Sequence, residues 1–254
     1  MAQIFNELKS HPARRVKPDT LIIVDPSDIH KPYATQMDFL SKVWDGSKDA
    51  VGDNLGYYGC MAVACENGGR RPMSMHLRFW SPDAPGFTSE NDELESVFDV
   101  IIGATGGRGI FIYDRGEDNI EFYRYFLRKS VDFIVRLKSR SVISWKRRLM
   151  CDNLAAQCTL RYTDTITFDS HGKTFRIVLN YGVVPVRLPE ISDKLLHMVV
   201  VKGFGQKPMM LLTTLAKTTA RKDLWQVVTA YITRWRVEET IRYIKQAYKG
   251  VVFL

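Results

Sequence analysis

Two short apolar runs in the chain each end in an aspartate. Residues 21–25 read Leu-Ile-Ile-Val-Asp, and residues 110–114 read Ile-Phe-Ile-Tyr-Asp. A continuous apolar run of this length is typical of a strand that is buried on both faces of a sheet. Pro26 follows the first run, and because proline cannot donate to a sheet ladder, we expect that strand to end near Asp25. Functional sites of open α/β sheets lie at strand ends, so Asp25 and Asp114 are candidate site residues.

The segments around these runs predict a mixed sheet with flanking helices, which is an α/β fold class. The turn signal Glu-Asn-Gly-Gly at 66–69 separates two strand patterns and indicates a hairpin. Apolar residues at helical spacing predict an amphipathic helix at 90–102, and a second helix is expected to begin near Asn119. The further strands predicted for this part of the chain are 57–65, 73–80 and 132–137.

From about residue 140 to residue 220 the pattern changes to the alternation of strands that bury one face only. We therefore predict a β-rich insertion over 140–220, made mainly of antiparallel strands that lie outside the core sheet. The insertion divides a core made of residues 21–139 and 221–254. Residues 1–20 hold several cations and two prolines and are predicted to be a basic lead-in.

Residues 222–249 contain no proline or glycine, and Gly250 follows where a helix C-cap is expected. A single long helix is therefore predicted. On a helical wheel one face of this helix carries a phenol, a carboxylate and several cations. Its residues are Tyr231, Arg234, Glu238 and Lys245, with Arg242 beside them. Such a face is either a set of ion pairs one turn apart or a functional surface.

The chain of 254 residues has a formal charge of +8 and an isoelectric point near 9.3. Part of the excess lies around the last helix, where residues 217–249 hold eight Lys or Arg against three Asp or Glu. This balance favours a polyanionic partner. A second basic run lies at 136–148, and its residue types fit a solvated charged face and a phosphate-binding patch equally well.

Several classes of protein are excluded by what the sequence lacks. The four cysteines form no C-x-x-C pair and are expected to be thiols in a reducing compartment. No stretch has the roughly 18 apolar residues of a membrane span. The glycine-rich link at 103–109 precedes a strand and lacks the Gly-Lys-Ser/Thr ending of a P-loop. We therefore expect a cytoplasmic protein without a membrane partner.

The spacing of Tyr231, Arg234, Glu238 and Lys245 resembles the Y-R-E-K signature of bacterial insertion-sequence transposases of the DDE class. Two, three and six residues separate the four positions, without a gap relative to the signature. The order of predicted strands and helices is also similar to the ribonuclease H-like core of these enzymes. Their β-rich insertion precedes the glutamate helix, as it does here. The resemblance covers residues 20–249.

The resemblance implies a catalytic and metal-binding triad made of Asp25, Asp114 and Glu238. The string Asp114-Arg115-Gly116 matches the second motif of the family, whereas Glu117 departs from the apolar or aromatic residue usual there. Three carboxylates suit a pair of Mg²⁺ ions, with Mn²⁺ as a substitute, because both cations prefer oxygen ligands. The local sequence by itself favours Asp25 as an acid that closes a strand and starts an Asx turn, and Asp28 is the reserve candidate.

The resemblance further implies a DNA transposase that cuts and joins transposon ends, working as a homodimer on double-stranded end and target DNA at the nucleoid. The DNA-binding residues implied are Tyr231, Arg234, Lys245, Arg242 and Arg115. Two alternatives remain open, namely a ribonuclease H-like nuclease without joining activity and a catalytically silent DNA-binding remnant. Only 24 residues precede Asp25, where relatives carry a DNA-end-binding region, so a truncated copy is also expected.

If the basic regions at 136–148 and 217–249 bind phosphates, the affinity of the protein for duplex DNA falls steeply as the salt concentration rises, because each neutralised phosphate releases counterions. The measurement is the dissociation constant for a labelled duplex between roughly 50 and 200 mM salt, with duplexes of unrelated sequence as the control. An affinity that stays constant over this interval would show that the charge is only solvated.

Overall fold

A computed structural model describes residues 13–31, 34, 36–45, 50–170, 173–215 and 220–249. The side chains at 44–45, 50–53, 117, 169–170, 173, 236 and 238–249 are outside this description. The chain is a mixed α/β protein with two compact units. One unit consists of Met1–Gly109 and Thr233–Leu254, and the other of Ile110–Ile232. The predicted α/β fold class is confirmed.

The strands of the first unit pair around one long central strand. They are β1 (Leu21–His30), β2 (Ser41–Asp45), β3 (Ala50–Cys65) and β4 (Met73–Trp80). β3 pairs antiparallel with each of the other three. The apolar run at the start of β1 is at most 2% exposed, as expected of a strand covered on both faces. The predicted hairpin at 66–69 connects β3 to β4 and is confirmed.

The prediction that the first strand ends near Asp25 is wrong, because β1 continues through Pro26 to His30. Pro26 lies opposite Cys60 in the antiparallel register with β3. In such a ladder the N–H groups of alternate residues point away from the partner strand. A proline at one of these positions removes no bond to that partner, so the strand continues.

The first helix, α1 (Glu90–Thr105), is three residues longer than the predicted segment at 90–102. Ser89 caps its start by accepting a hydrogen bond from the backbone N–H of Asp92, and Gly106 ends it with φ +64°. Arg78 of β4 forms an ion pair with Glu93 of α1. One face of α1 carries apolar side chains, including Phe98, and these side chains are buried.

The second unit begins with a parallel pair, β5 (Ile110–Tyr113) and β6 (Asp132–Arg136), joined by α2 (Ile120–Lys129). Asn119 caps α2 by accepting from the N–H of Glu121, which confirms the predicted start. Aromatic side chains of β5 and α2 pack together, with the rings of Phe111 and Phe126 5.3 Å apart. A strand, crossover helix and parallel strand of this kind is the usual way to build a buried parallel pair.

The region 140–220 is rich in antiparallel strands, as predicted. They are β7 (Ser141–Ser144), β8 (Arg147–Met150), β9 (Tyr162–Ser170), β10 (Lys173–Leu188), β11 (Ile191–Lys202) and β12 (Met209–Thr213). The expectation that they lie outside the core sheet is wrong, since β12 pairs antiparallel with β6. A short helix, α3 (Cys151–Gln157), was not predicted. The predicted division of the chain into core and insertion at residues 140 and 220 stays a prediction. The two compact units instead meet in the sequence after Gly109 and after Ile232.

The last helix, α4 (Arg221–Lys249), confirms the prediction of one uninterrupted helix. It begins in the second unit and continues into the first. None of the four cysteines is in a disulfide. Among the helices of the described residues, none has the length and apolar character needed to cross a membrane.

Two glycines provide a test of the β-rich region. A Cβ at Gly182 would lie 2.2 Å from the carbonyl oxygen of Thr159, whereas a Cβ at Gly103 in α1 meets no atom within 4 Å. We expect Gly182→Ala to destabilise the protein by about 1–3 kcal/mol, because backbone must move. Gly103→Ala is the matched control and stabilises by up to about 1 kcal/mol through helix propensity. Denaturant unfolding measures both, and an unchanged midpoint for Gly182→Ala would contradict this packing.

Candidate active site

Asp114 lies immediately after β5, at the carboxyl end of a parallel strand. Residues 111–113 of that strand are buried to 1% or less, so the backbone that leads to the acid is held firmly. Asp114 itself is half-buried and extended, and a 3-10 turn at Arg115–Glu117 follows it. Ends of parallel strands are where α/β proteins place their sites, as the sequence predicted for this acid.

Tyr231 of α4 contacts this acid directly. Its side chain is fully buried, and its hydroxyl donates a hydrogen bond of 2.7 Å to Oδ1 of Asp114. A buried phenol needs such an acceptor, and a bond to a charged carboxylate is stronger than one between neutral groups. The structure therefore joins the second aspartate motif to the helix motif. It gives Tyr231 a carboxylate partner inside the protein, while the predicted DNA contact of this residue stays a prediction.

The turn after Asp114 is secured by a second carboxylate, Asp118. Its oxygens accept from the hydroxyl of Tyr123 at 2.9 Å and from the backbone N–H of Lys138 at 2.5 Å. Arg140 forms an ion pair with the same carboxylate, whose side chain is only 2% exposed. The ammonium group of Lys138 donates to the carbonyl of Gly116 at 3.0 Å. A buried carboxylate is tolerated because several donors satisfy it, and here those donors fix the segment that carries Asp114.

Burial, together with the nearby carboxylate of Asp118, raises the pKa of the Tyr123 phenol well above its ordinary value. Tyr123 therefore remains a hydrogen-bond donor across the physiological range. Arg140 also lies over the Tyr123 ring, 5.4 Å from its centre. Sequence reasoning missed both Asp118 and Tyr123. The available sequence signal was an acid, Asp118, four positions after Asp114, together with the basic run at 136–148, which contains a cation that could pair with it.

The start of α4 is held by a clamp on the β9–β10 hairpin. The guanidinium of Arg221 donates to both carboxylate oxygens of Asp164, at 2.7 and 3.0 Å. Tyr181 donates to the same carboxylate at 2.6 Å, and its ring stacks on Trp225 of the helix at 5.5 Å. The hydrogen bond from Arg221 lowers the pKa of Asp164, so this carboxylate stays ionised. The clamp sets where the helix begins, ten residues before Tyr231.

The remaining predicted residues belong to several places in the chain. Asp25 is half-buried on β1 opposite Met61, and Asp28 is half-buried on the same strand. Arg234 on α4 is 5% exposed. Arg115 is exposed on the turn beside Asp114. The predicted residues whose side chains lie outside the described part are Glu238, Arg242 and Lys245, although their backbone is within α4.

Asp25 and Glu238 belong to the first compact unit and Asp114 to the second. Their predicted convergence as a triad stays a prediction. Within the described side chains, which exclude Glu238, no three His, Cys, Asp or Glu side chains gather closely enough to hold a metal ion.

A profile of the family described as "Transposase DDE domain" matches residues 17–251. The chain belongs to this family. Its membership confirms the resemblance to DDE-class transposases and places the chain in a class of nucleases and transposases. The Y-R-E-K subgroup stays a prediction.

Solved structures resemble this transposase DDE domain at 8% sequence identity. One is the piggyBac transposase in a synaptic complex with hairpin DNA, with a TM-score of 0.45, covering 87% of this chain and 40% of that chain. The DDE domain thus spans less than half the length of that piggyBac chain. Another is the NurA nuclease from Sulfolobus solfataricus, with a TM-score of 0.34, covering 100% of this chain and 95% of that chain. A comparison with curated proteins finds no match.

The contact between Tyr231 and Asp114 is tested by removing the hydroxyl. Tyr231→Phe keeps the ring and loses one hydrogen bond, so we expect destabilisation of about 1 kcal/mol. Asp114→Ala removes the acceptor and is the partner for a double-mutant cycle. Denaturant unfolding of the parent, both single variants and the double variant gives a coupling of at least roughly 0.5 kcal/mol. Strictly additive effects would show that the two side chains do not interact.

Proposed function

We propose that this chain is the catalytic part of a DNA transposase, in which Asp25, Asp114 and Glu238 together form the site for cleavage and strand transfer. The observation that carries the proposal is the hydrogen bond from Tyr231 to Asp114, made within a chain of the transposase DDE family. It brings one acid and one helix residue of the proposed constellation into contact. Glu238 lies on the same helix as Tyr231.

The residues fit a divalent metal, for which we propose two Mg²⁺ ions, with Mn²⁺ as a substitute. A carboxylate has about four lone-pair positions, so the hydrogen bond at Oδ1 of Asp114 is compatible with a cation on the same group. Mg²⁺ binds through few carboxylates and keeps several waters, which suits three acids. Bound in pairs, such cations neutralise charge on the attacking and leaving oxygens of a phosphodiester displacement.

The protein's own groups position the acids and the DNA. Tyr231 orients Asp114, and the Asp118 cluster keeps the following turn in place. Arg115, exposed next to Asp114, is proposed to contact a phosphate of the cleaved strand. We propose the same role for the cations of α4 that share the predicted face of Glu238. These cations are Arg234, Arg242 and Lys245.

The proposed partner is double-stranded DNA, both transposon end and target. The charge of +8 supports a polyanionic partner. The piggyBac transposase, to which the chain is similar, is described in a complex with hairpin DNA. We propose a homodimer on DNA, because joining two transposon ends requires two sites.

The decisive experiment compares Glu238→Gln with the parent by thermal melting, with and without Mg²⁺ or Mn²⁺. If Glu238 is a ligand, metal raises the melting temperature of the parent, because it binds only the folded state, and raises that of the variant much less. Cleavage of labelled DNA is lost in the variant. Glu239→Gln, one position along the same helix, is the matched control and retains the response to metal.

An equal metal response in parent and Glu238→Gln would instead make Glu238 an ion-pair partner, worth up to about 1 kcal/mol at a surface. The products formed from a labelled DNA end distinguish the three candidate functions. Joined products support a transposase, cleavage without joining indicates a nuclease, and no divalent-dependent product indicates a silent DNA-binding protein.

A further inference from the structure

The turn between β3 and β4 contacts the last helix directly. The backbone N–H of Gly68 donates a hydrogen bond of 2.8 Å to the hydroxyl oxygen of Thr233, and this hydroxyl donates to Oδ1 of Asn67 at 3.2 Å. The side chain of Thr233 is buried, with 1% exposed. One threonine of α4 is therefore bonded to two consecutive residues of the turn.

The conformation of the turn explains why Gly68 has an N–H to donate. The turn closes with a bond of 2.9 Å from the N–H of Gly69 to the carbonyl of Glu66, and Gly68 has φ +95°. A positive φ at the third residue is typical of a type II turn, whose closing bond does not use the N–H of that residue. The amide of Gly68 thus needs an acceptor outside the turn, and Thr233 supplies one.

The hydroxyl of Thr233 makes a kind of contact that is unusual for a threonine within a helix. Such threonines commonly bond back to the carbonyl one turn earlier, as Thr229 does to Trp225 at 2.8 Å. The bond from Thr229 to Trp225 stays within α4. The bonds of Thr233 to Asn67 and Gly68 instead join α4 to another element.

Two of the proposed metal ligands are connected through this contact. Asp25 lies opposite Met61 in the pairing of β1 with β3, and β3 ends at Cys65, directly before the turn. Glu238 follows Thr233 on α4 by less than two helical turns. All of these residues belong to the first compact unit. The strand pair, the turn and the helix therefore form one hydrogen-bonded path from the first acid to the last.

We propose that Thr233 is a positioning residue, which sets the location of Glu238 relative to Asp25 by binding the β3–β4 turn. Ligands of one metal site must be held to within a fraction of an ångström, and the groups that hold them are bonded side chains behind the site. This inference rests on the proposed function and deepens it, because it names a residue that acts on the site through another residue.

A simpler explanation is that Thr233 only satisfies the turn amide. The turn lies close to the surface, since Glu66 and Arg70 are exposed and Gly68 is half-buried. Water can bind an amide in such a place, so satisfying this N–H does not require a buried threonine. The two explanations differ in what removal of the hydroxyl does to catalysis.

The informative variant is Thr233→Val, which replaces the hydroxyl by a methyl group and removes both bonds to the turn. The assay is metal-dependent cleavage of labelled DNA, well below the melting temperature of every variant. We expect kcat to fall roughly tenfold to a hundredfold, because a small misplacement of a catalytic group is costly. The Mg²⁺ concentration for half-maximal cleavage should rise. The dissociation constant for the same DNA in EDTA should stay unchanged, because the charge of the protein is unaltered.

Thr233→Ser retains the hydroxyl and should recover most of the lost kcat. The matched control is Thr229→Val, which removes a hydroxyl that bonds within the same helix and should leave kcat unchanged. Asn67→Ala approaches the contact from the turn. Asn67 is half-buried, so this variant is expected to fold, and it should lower kcat in the same direction by a smaller factor.

A lower melting temperature of Thr233→Val with unchanged kcat and metal dependence would show a purely structural role and overturn the proposal. An equal loss of kcat in Thr229→Val would also overturn it. If Thr233→Val does not fold, Asn67→Ala decides, and an unchanged kcat in that variant rejects the inference. Cleavage by the parent that does not depend on Thr233 rejects this inference alone. A parent without any divalent-dependent cleavage rejects the proposed function, and this inference falls with it.

Discussion

The position of α4 in the second unit depends on a carboxylate that must be satisfied. Asp114 lies at the end of a buried strand, and Tyr231 is fully buried in the helix. The buried hydroxyl of Tyr231 needs an acceptor, and the half-buried carboxylate of Asp114 supplies it, so the hydrogen bond between them restricts how the helix packs. Arg221 and Asp164 restrict the same helix near its start. The helix is thus positioned by polar contacts at two points, in addition to its apolar face.

The second carboxylate, Asp118, extends this constraint to the loop. It is nearly inaccessible to solvent, yet a phenol, a backbone amide and a guanidinium all bind to it. Removing one donor would leave a charge that the others only partly compensate. The turn beside Asp114 is thus held by hydrogen bonds and an ion pair within the protein itself. Preorganisation of this kind is what a site needs when its chemistry depends on the placement of charge.

Sequence alone was sufficient for the elements with a strong local signal. The apolar run before Asp114 predicted β5, and the absence of glycine and proline predicted α4. It was insufficient where long-range pairing decides the outcome. β1 continues past Pro26 because β3 pairs alongside it, and β12 joins β6 instead of a separate sheet. The periodicity of a sequence shows which face of a helix or strand is buried. It does not show which side chains of different elements will contact each other, so Asp118 and its donors were missed.

The contact between Tyr231 and Asp114 also has a consequence for the order of synthesis. The two residues are 117 positions apart, and the helix that carries Tyr231 follows every strand of the described fold. During translation, Asp114 and the strand before it leave the ribosome long before their helical partner is made. A chain synthesised only as far as β12 therefore contains Asp114 without its hydrogen bond from Tyr231. This hydrogen bond of Asp114 therefore forms only after α4 has been made, later than the contacts of Asp118 with residues 123–140.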